Sequence, residues 1–596
     1  MENAASREVD TAAVETTAAA SAAYDDAEDS TRPRGNSLVQ AIALGRAPYL
    51  AAGALAIGFV FWWLQFSTDA ICCGDLDGYY HIGWSRQLRE SFRAGRILPQ
   101  FTWLPLTTLD ARNYVDHHFL FHVLQIPFTF FSDVRTGAKI SAWLFGSLAV
   151  FSCYWLIIRY RIKYPLLWLV ALLGCSAPFL FRMNMTKAMS LSVVLLVVGI
   201  HLLFQRKYVW LLPLSFVFTL TYDMFVLLGL VAAIWTAVIA WSERRFEWRP
   251  LAYFVVGFAA GTVINPYFPH NVRLFYEHVS MKVTAKDFPT AVGQEWYPYD
   301  SWAFAGNSAV AFASMLAGYI AFNWQDRKRA ARALFFLVFS TILLIANARW
   351  RRFAEYWPPF ALLFAAFALQ LVFERARSNV YGELPPEVAD ELEPYLDRAE
   401  TSDAAAWSET QKTFAAAVVS VLLLIPLLSV LAAETREIRD TSPHDEYTKG
   451  IEWMRTHVPA GQVVFNTDWD DFPKLFYYDP THAYVSGLDP NYLYDRDREL
   501  SRLYEEITLG RHKDPGPVIR ERFGARYVFT DNKDVHNEFY NTALDSGWFD
   551  QLYTDDECTI LYIREQKGAP PPDDADDADD PGGEDTDGDD ADEAET

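Results

Sequence analysis

Apolar stretches almost free of charge recur along the chain between positions 48 and 433. They are about 17 to 22 residues long or a few residues shorter, which is the length that crosses the hydrocarbon layer of a bilayer. A further stretch at 119–131 is apolar but short, and we interpret it as an interfacial or re-entrant helix. The pattern predicts a polytopic α-helical membrane protein with about 11 to 13 transmembrane helices. The predicted spans are 48–66, 137–158, 165–181, 189–204, 208–221, 224–241, 251–265, 302–323, 332–348, 357–373 and 413–433.

Positively charged residues predict how these spans are oriented. Arg and Lys cluster on alternate connections, and such residues in short loops stay in the cytoplasm. The outer side then receives 67–136, 182–188, 266–301 and everything after 433. We therefore expect a multi-pass protein of the cytoplasmic membrane. The basic connections are 159–163, 206–207, 244–249, 327–329 and 375–377.

Both tails differ from the rest of the chain in composition. Of a formal net charge of -24, a large part lies in 573–596, which contain fourteen acidic residues and no basic one. The tails have almost no aliphatic or aromatic side chains and cannot bury enough surface to fold. We predict that 1–45, on the cytoplasmic side, and 567–596 are disordered. We expect no nucleic-acid partner.

After the last span the pattern changes to that of a folded α/β segment. Helical stretches alternate with short runs of β-branched and aromatic residues between 434 and 566. The sequence therefore predicts a membrane domain at 46–433, with a polar cytoplasmic insert at 375–411, followed by an external soluble α/β domain. Its predicted elements are helices at 452–457, 498–508 and 518–523 and strands at 462–465, 526–530 and 558–563.

Acidic residues follow the first span at the predicted outer surface. Asp75 and Asp77 come soon after an apolar helix, where carboxylates cost desolvation energy unless they bind something. Farther along the same segment, Asp116 precedes His117 and His118. Such a group can coordinate a divalent cation or act as acid and base, or it can be a structural hydrogen-bonding feature.

Arginines at 349, 351 and 352 break the positive-inside pattern, because this connection is predicted to lie outside. The planar guanidinium group suits phosphate, so these residues indicate an anionic ligand. The alternative is that they pair with lipid headgroups or with carboxylates such as Glu355. In the outer loop 266–301, Glu295 lies among aromatic residues, as is common both in sugar-binding sites and in membrane-interface belts.

The order of these motifs resembles the catalytic subunit of oligosaccharyltransferases, within the GT-C superfamily of polyprenyl-phosphate-dependent glycosyltransferases. Asp-Gly-Tyr-Tyr-His at 77–81 is similar to the first acidic motif of that family. Arg-Phe-Ala-Glu-Tyr at 352–356 is similar to an outer Arg-Phe-x-x-Tyr motif that helps to hold the donor phosphate. Glu295 occupies a place similar to that of a loop glutamate which joins the metal and acceptor site.

Two motifs of the family are not matched. Arg182 is followed by 183–189 without a carboxylate, so the second acidic motif is missing, and Asp-Trp-Asp-Asp-Phe at 468–472 stands near the expected place of WWDYG. Two alternatives stay open for the cofactor. One is Mn²⁺ or Mg²⁺ held by Asp77, Glu295 and His117. The other is a metal-independent site in which Lys187 and Arg182 neutralise phosphate, as in the lipid A aminoarabinose and protein O-mannosyl branches.

The resemblance implies an integral-membrane glycosyltransferase that moves a sugar or oligosaccharide from a polyprenyl phosphate or diphosphate to an acceptor on the outer face. Asp77 is the expected base or metal ligand, supported by Asp75 and Asp116, and Glu295 orients the acceptor or metal. The residues expected to bind donor phosphate are Arg352, Arg351, Arg182 and Lys187.

Alternative functions stay open from the sequence. Within the enzyme class, the protein could transfer a single lipid-linked sugar to a lipid or polysaccharide acceptor rather than to a protein. From another class, a transporter or flippase of lipid-linked sugars would also have outer arginines. A transporter would more naturally show charges within spans and internal repeats.

Overall fold

The computed structural model describes residues 46–73, 76–279, 293–325, 327–381 and 409–568. By its internal contacts the chain divides into Met1–Leu55 and Ala56–Thr596. The described part of the first unit is the beginning of helix Ala47–Gln65. The second unit contains the remainder of that helix and every other element described below.

Helices make up most of the described chain. The α-helices are Ala47–Gln65, Asp77–Arg93, Phe119–Gln125, Val134–Arg159, Pro165–Leu173, Ala177–Asn184, Met189–Phe204, Leu211–Thr221, Val226–Glu243, Arg249–Val263, His270–Val279, Ser301–Asn307, Ala309–Ala321, Ala331–Arg349, Trp357–Tyr381, Glu409–Arg439, Thr448–His457, Phe472–Tyr478, Asn491–Arg496, Arg498–Thr508, Pro515–Val518 and Asn537–Asp545. The 3₁₀ helices are Ile126–Phe130, Tyr208–Trp210, Asp223–Phe225, Gln294–Trp296, Arg351–Glu355, Trp469–Asp471 and Asp534–His536, and a π-helical turn spans Ile519–Phe523.

The apolar helices match the predicted spans one by one. By length and composition, five of the described helices can cross a membrane, or seven if each of two bent helix pairs counts as one span. The other four predicted spans fall on shorter apolar helices, and the stretch at 119–131 is a short helix that continues as a 3₁₀ turn. The prediction of a multi-pass helical membrane protein is therefore confirmed. The five long helices are Ala47–Gln65, Val134–Arg159, Asp223–Glu243, Ala331–Arg349 and Ala417–Arg439.

Two predicted spans are broken in the middle, which the sequence pattern did not reveal. Pro165–Leu173 and Ala177–Asn184 meet at 78°, and Ser301–Asn307 and Ala309–Ala321 meet at 80°. The two breaks touch, because the hydroxyls of Ser176 and Ser308 lie 2.9 Å apart. Such breaks are tolerated at membrane depth where protein surrounds the freed backbone groups.

Small residues allow other membrane helices to pack closely. Gly257 on Arg249–Val263 lies against Leu211–Thr221, and a Cβ atom at this position would come within 2.2 Å of the carbonyl oxygen of Leu212. Glycine is therefore required here because of the close approach of the backbones rather than because of its own dihedral angles.

A five-stranded mixed sheet forms the C-terminal part. Its strands are β1 (Val463–Asn466), β2 (Ala483–Tyr484), β3 (Tyr527–Asp531), β4 (Phe549–Thr554) and β5 (Cys558–Ile563), in the order β2-β1-β3-β5-β4. β1 is parallel to β2 and β3, whereas β5 is antiparallel to β3 and β4. Their side chains alternate between two cores, so that Val464 and Phe529 face one side and Phe465 and Val528 the other.

The predicted α/β character of this segment is confirmed, and the missed elements are short. β1, β3 and β5 fall at the predicted strands, and the helix Arg498–Thr508 has its predicted bounds. β2 has two residues and β4 has a polar pattern, so neither gave a clear alternation of apolar residues. The boundaries of the domain at 434 and 566 stay predictions.

The sheet region shares a core with the segment after the first span. Helix Asp77–Arg93 packs on Phe472–Tyr478, and Tyr80 and Trp84 join Met454 and Phe476 in one apolar cluster. Trp84 is fully buried, and burial of an aromatic side chain of this kind contributes on the order of 2 to 3 kcal/mol. This packing fixes the start of the helix, where Asp77 lies.

Candidate functional site

A cavity of about 840 Å³ lies where the predicted outer connections come together. Residues from every one of these connections line it, although they are far apart in the sequence. The connections that the charge pattern assigned to one side therefore do meet on one side. The charged and histidine residues that line the cavity are Asp77, His81, Asp116, His117, His118, His122, Arg182, Lys187, Asp223, Glu295, Arg351, Arg352, Glu434, Glu437, Asp470 and Asp489.

Two arginines of the cavity are held by shared carboxylates. Arg182, near the end of helix Ala177–Asn184, donates from Nη2 to Glu295 Oε2 at 2.8 Å and from Nε to Glu355 Oε1 at 2.9 Å. Arg352 donates from Nη1 to the other oxygen of Glu295 at 3.1 Å. Glu295 thus bridges two guanidinium groups that come from different helices.

The charge state of Glu295 follows from this bridge. Burial raises the pKa of the Glu295 carboxyl, but Arg352 and Arg182, with Lys187, outweigh burial and lower that pKa below its ordinary value. Glu295 is therefore ionised, and both of its oxygens already accept from arginine. It fits a role in positioning the arginines better than a role as a free base.

Arg352 is enclosed by aromatic rings on its other sides. Its Nη2 donates to the Tyr222 hydroxyl at 2.6 Å and lies 3.8 Å from Asp223 Oδ1. The guanidinium also lies 5.1 Å from the ring centroid of Trp296. Arg352 Nε is buried, and no described residue accepts a hydrogen bond from it. Arg352 lines the cavity and thus has one guanidinium donor that no described residue uses.

Arg351 holds the loop around Glu295 in place. It donates from Nη1 to Gln294 Oε1 at 3.0 Å and from Nε to the Pro298 carbonyl at 3.2 Å. Its guanidinium group lies 5.0 Å from the ring centroid of Tyr299. Arg351 thus contacts the cavity and also orders the segment that carries Glu295.

Asp77 is the first residue of helix Asp77–Arg93 and forms an ion pair with Lys187. Asp77 Oδ2 lies 2.7 Å from Lys187 Nζ, and both side chains line the cavity. The pair joins the segment after the first span to the turn between Ala177–Asn184 and Met189–Phe204. Asp75, the other acidic residue predicted here, lies outside the described residues.

Asp116 is buried and fully engaged by neighbouring donors. Trp84 Nε1 donates to Asp116 Oδ2 at 2.9 Å, and His122 Nδ1 lies 2.8 Å from the same oxygen. His122 Nε2 in turn lies 2.7 Å from His81 Nδ1. Burial lowers the pKa of His81 well below 6.5, so this imidazole is neutral. The arrangement orients His122 and His81 toward the cavity.

The adjacent histidines face the same region. His118 stacks on the ring of Tyr222 with centroids 5.2 Å apart, and its own backbone N–H donates to Asp116 Oδ1. His117 lines the cavity and contacts the ring of His118. Burial and the charge of His117 lower the pKa of His118 well below its ordinary value.

The proposed metal ligands Asp77, Glu295 and His117 line one cavity but do not form a compact ligand group. Among the described residues, three or more ligand atoms of His, Cys, Asp or Glu come within 4.8 Å of one another only at Asp468, Asp471 and Asp531. The carboxylates of Asp77 and Glu295 are instead paired with cationic side chains. This set of residues does not fit a divalent cation, whose ligands surround it closely.

The aspartate group in the sheet region is closed around a lysine. Lys533 Nζ lies 2.9 Å from Asp531 Oδ2, 3.3 Å from Asp471 Oδ1 and 3.6 Å from Asp468 Oδ2. The group follows the carboxyl ends of β1 and β3. Between Asp468 and Asp471, Trp469 and Asp470 line the cavity, so this motif borders the site without placing its buried acids in it.

Sequence reasoning missed several residues of the cavity wall. Tyr222 and Asp223 occupy a short break between Leu211–Thr221 and Val226–Glu243, and Glu434 and Glu437 lie near the end of the last membrane helix. A carboxylate next to an apolar span was the available signal for all three acids. A tyrosine beside an arginine from another helix left no signal in the sequence.

Comparisons with known proteins identify the fold of the chain through solved structures alone. No protein-family model matches the chain, and no curated protein matches it. Solved structures match it over most of its length, at low sequence identity.

The archaeal oligosaccharyltransferase AglB from Archaeoglobus fulgidus, in complex with an inhibitory peptide and a dolichol-phosphate, matches with a TM-score of 0.56 and 12% identity, over 81% of this chain and 69% of AglB. A second structure of the Archaeoglobus fulgidus oligosaccharyltransferase, tethered to an acceptor peptide, matches with a TM-score of 0.56 and 12% identity. This match covers 88% of this chain and 74% of that enzyme. ArnT from Cupriavidus metallidurans bound to undecaprenyl phosphate matches with a TM-score of 0.47 and 14% identity, over 89% of this chain and 100% of ArnT. At this identity the two Archaeoglobus fulgidus matches show the fold alone, and the chain shares the fold of that oligosaccharyltransferase.

Proposed function

We propose that the protein transfers a sugar from a polyprenyl phosphate or diphosphate to an acceptor on the outer face of the cytoplasmic membrane. The observation that supports this most directly is the cavity itself. It brings Arg182, Arg351 and Arg352 together with the pair Asp77 and Lys187 at the ends of membrane helices. Transfer from a lipid-linked sugar phosphate needs two features, a cationic site for the phosphate and a base for the acceptor.

The arginines are the proposed binding site for the donor phosphate. Arg352 keeps a buried donor without a described acceptor, and Arg182 is held rigidly by Glu295 and Glu355. Fixed donors of this kind stabilise the negative charge that develops on the lipid phosphate as the bond from the sugar C1 breaks. The AglB structure contains a dolichol-phosphate, which is compatible with a lipid-linked donor in this protein.

Asp77 is the proposed base. In direct displacement, it accepts the proton of the acceptor group while the acceptor attacks the sugar C1. The electron pair of the C1–O bond leaves with the lipid phosphate. Lys187, 2.7 Å from Asp77, is placed to interact with either the carboxylate or the phosphate. No covalent intermediate is required.

We propose that this transfer does not depend on a metal ion. Cationic side chains already neutralise Asp77 and Glu295, which are two of the three expected metal ligands. Lys187 and the arginines would then provide the positive charge that Mn²⁺ or Mg²⁺ would otherwise supply.

The acceptor is the least constrained part of the proposal. The Archaeoglobus fulgidus enzyme holds an acceptor peptide, but WWDYG is not matched here and Trp469 and Asp470 alone of the 468–472 motif line the cavity. A protein, a lipid or a glycan acceptor therefore stays open. A transporter of lipid-linked sugars is the second candidate, favoured by Glu434 on a membrane helix, whose buried Oε2 accepts no hydrogen bond from a described residue.

Release of lipid phosphate from a labelled pool of lipid-linked sugars tests the proposal. Purified wild type is compared with Asp77→Asn and with Asp69→Asn, in which an exposed carboxylate of the same segment is changed. We expect Asp77→Asn to lose at least about 100-fold in rate, Asp69→Asn to keep the rate, and EDTA to have no effect on wild type. If wild type moved the lipid across vesicles without releasing lipid phosphate, the transporter would replace the enzyme.

A further inference from the structure

Two glutamates on the last membrane helix face the cavity and take no part in the network around Arg182 and Arg352. Glu434 and Glu437 both line the cavity from helix Glu409–Arg439. Glu434 is only 1% exposed, and no described residue donates a hydrogen bond to its Oε2. Glu437 lies almost one turn farther along and is exposed.

An acidic side chain that is buried at the end of a membrane helix without a described partner is costly for the fold. Buried acids in membrane helices are found paired or facing a polar cavity, because the bilayer interior offers them no hydrogen bonds. The basic residues of the same helix, Arg436 and Arg439, are exposed and lie two and five positions from Glu434, away from its face. Among the described residues none donates to Glu434 Oε2, so a molecule in the cavity is the candidate partner of this side chain.

The electrostatic surroundings place this carboxylate pair near the proposed phosphate site. Burial raises the pKa of the Tyr299 hydroxyl, Arg182 and Arg351 lower it, and Glu437 and Glu434 raise it. The hydroxyl of Tyr299 therefore interacts electrostatically with both the arginines and the glutamates. The helix of Glu434 also packs on Ala177–Asn184, which carries Arg182.

We propose that Glu434 and Glu437 form a subsite for the hydroxyl groups of the donor sugar, adjacent to the arginines that bind its phosphate. This inference rests on the proposed function. Carboxyl groups form hydrogen bonds with hydroxyl groups, whereas a lipid tail offers them no hydrogen bonds. Tyr299 supplies an aromatic ring against which a sugar can pack. The arginines and the glutamates thus orient the donor, with phosphate at the arginines and sugar at the glutamates.

Binding of lipid phosphate with and without a sugar tests this subsite. The full chain in lipid nanodiscs is titrated with undecaprenyl phosphate and with a panel of its hexosyl, N-acetylhexosaminyl, pentosyl and uronosyl forms. We expect wild type to bind at least one sugar-linked form about ten- to 100-fold more tightly than undecaprenyl phosphate. Glu434→Ala should lose this preference but bind undecaprenyl phosphate as wild type does.

Control variants separate recognition from folding. Glu521→Ala, which removes an exposed carboxylate of the sheet region, should keep the full preference for the sugar-linked form. If Glu434→Ala does not fold, Glu434→Gln, with nearly the same shape, and Glu437→Gln, at the exposed position, should each weaken the preference and leave binding of undecaprenyl phosphate unchanged.

Three results would overturn the inference. One is that no member of the panel binds wild type more tightly than undecaprenyl phosphate. Another is that the folded Glu434 and Glu437 variants keep the preference of wild type. The third is that they lose binding of both ligands equally, which would indicate a structural role. Failure of wild type to bind undecaprenyl phosphate at all would instead contradict the proposed function itself.

Discussion

Two groups of buried charges in this protein differ in what surrounds them. In the sheet region, Asp471 and Asp531 are fully buried and contact Lys533, which the same chain supplies. At the ends of the membrane helices, Arg352 and Glu434 each keep a buried polar atom without a described partner, and both line a cavity. Oδ2 of Asp471 and Oδ2 of Asp531 also lack a described hydrogen-bond partner, so the two groups differ in that the second lines the cavity and the first packs around Lys533.

The difference shows that a cluster of acids is weak evidence for a site by itself. From ligand spacing alone, the aspartates at 468, 471 and 531 are a better metal candidate than the carboxylates of the cavity. Yet Arg352 and Glu434 line the cavity, and each has a buried polar atom without a described partner, whereas Asp471 and Asp531 do not line it. Incomplete pairing beside a cavity therefore identifies the candidate site.

The largest expected effect is on Arg352. Arg352→Ala removes the donor that is proposed to contact phosphate, and we expect release of lipid phosphate to fall at least about 100-fold. Arg349→Ala, three positions earlier and exposed, is the matched control and should stay close to wild type. Equal rates for the two variants would show that the cavity arginine is no more functional than an arginine at the helix surface.

A change at Lys533 should affect stability and leave transfer intact. Lys533→Met leaves Asp471 without its counter-ion and leaves Asp531 with His536 alone. We expect the free energy of unfolding to fall by about 1 to 3 kcal/mol, a range that is discounted because Lys533 is 47% exposed. Thermal unfolding of the full chain in detergent measures this. A strong loss of rate in folded Lys533→Met would instead make the closed cluster part of the site.

A smaller effect is expected for Tyr222, which only supports Arg352. Tyr222→Phe removes the hydroxyl that accepts from Arg352 Nη2 at 2.6 Å but keeps the ring that stacks on His118. We expect a rate lower by about three- to tenfold, the size of one hydrogen bond. A loss as large as that of Arg352→Ala would assign the hydroxyl itself a direct role.

The smallest expected effect is a pH dependence within the sheet region. Burial lowers the pKa of His482, but Asp479, 2.5 Å away, raises it above 6.5. The stability that His482 contributes is therefore complete below pH 6.5 and is lost as the pH rises through the folded pKa. Asp479, whose pKa is lowered, contributes above pH 3.8 and loses this contribution as the pH falls.

Thermal unfolding between pH 6 and 8 checks this behaviour. The unfolding temperature of His482→Gln should depend less on pH across this range than that of wild type. Parallel curves for the two proteins would show that the pair does not titrate as its contacts indicate. Transfer activity, normalised to folded protein, should change alike with pH in both.

Much of the fold was predictable because it depends on local patterns. Each predicted membrane span falls on an apolar helix or bent pair, and the helix Arg498–Thr508 and strand Cys558–Ile563 have their predicted bounds. The period of the apolar residues and the length of the apolar stretch determine whether such a segment forms a helix or a strand. The breaks at Ser176 and Ser308 were not predictable, because the groups that stabilise each break come from the other helix.

The sequence by itself determined that the chain spans a membrane and which connections lie on the same side, because hydropathy and charge act locally along the chain. It also indicated Asp77, Glu295 and Arg352 as candidate site residues. Only the tertiary structure decided that Glu295 bridges Arg182 and Arg352 and that Asp77 is paired with Lys187. These pairings join segments that are up to 113 residues apart, and which cation neutralises which carboxylate depends on helix packing rather than on spacing in the sequence.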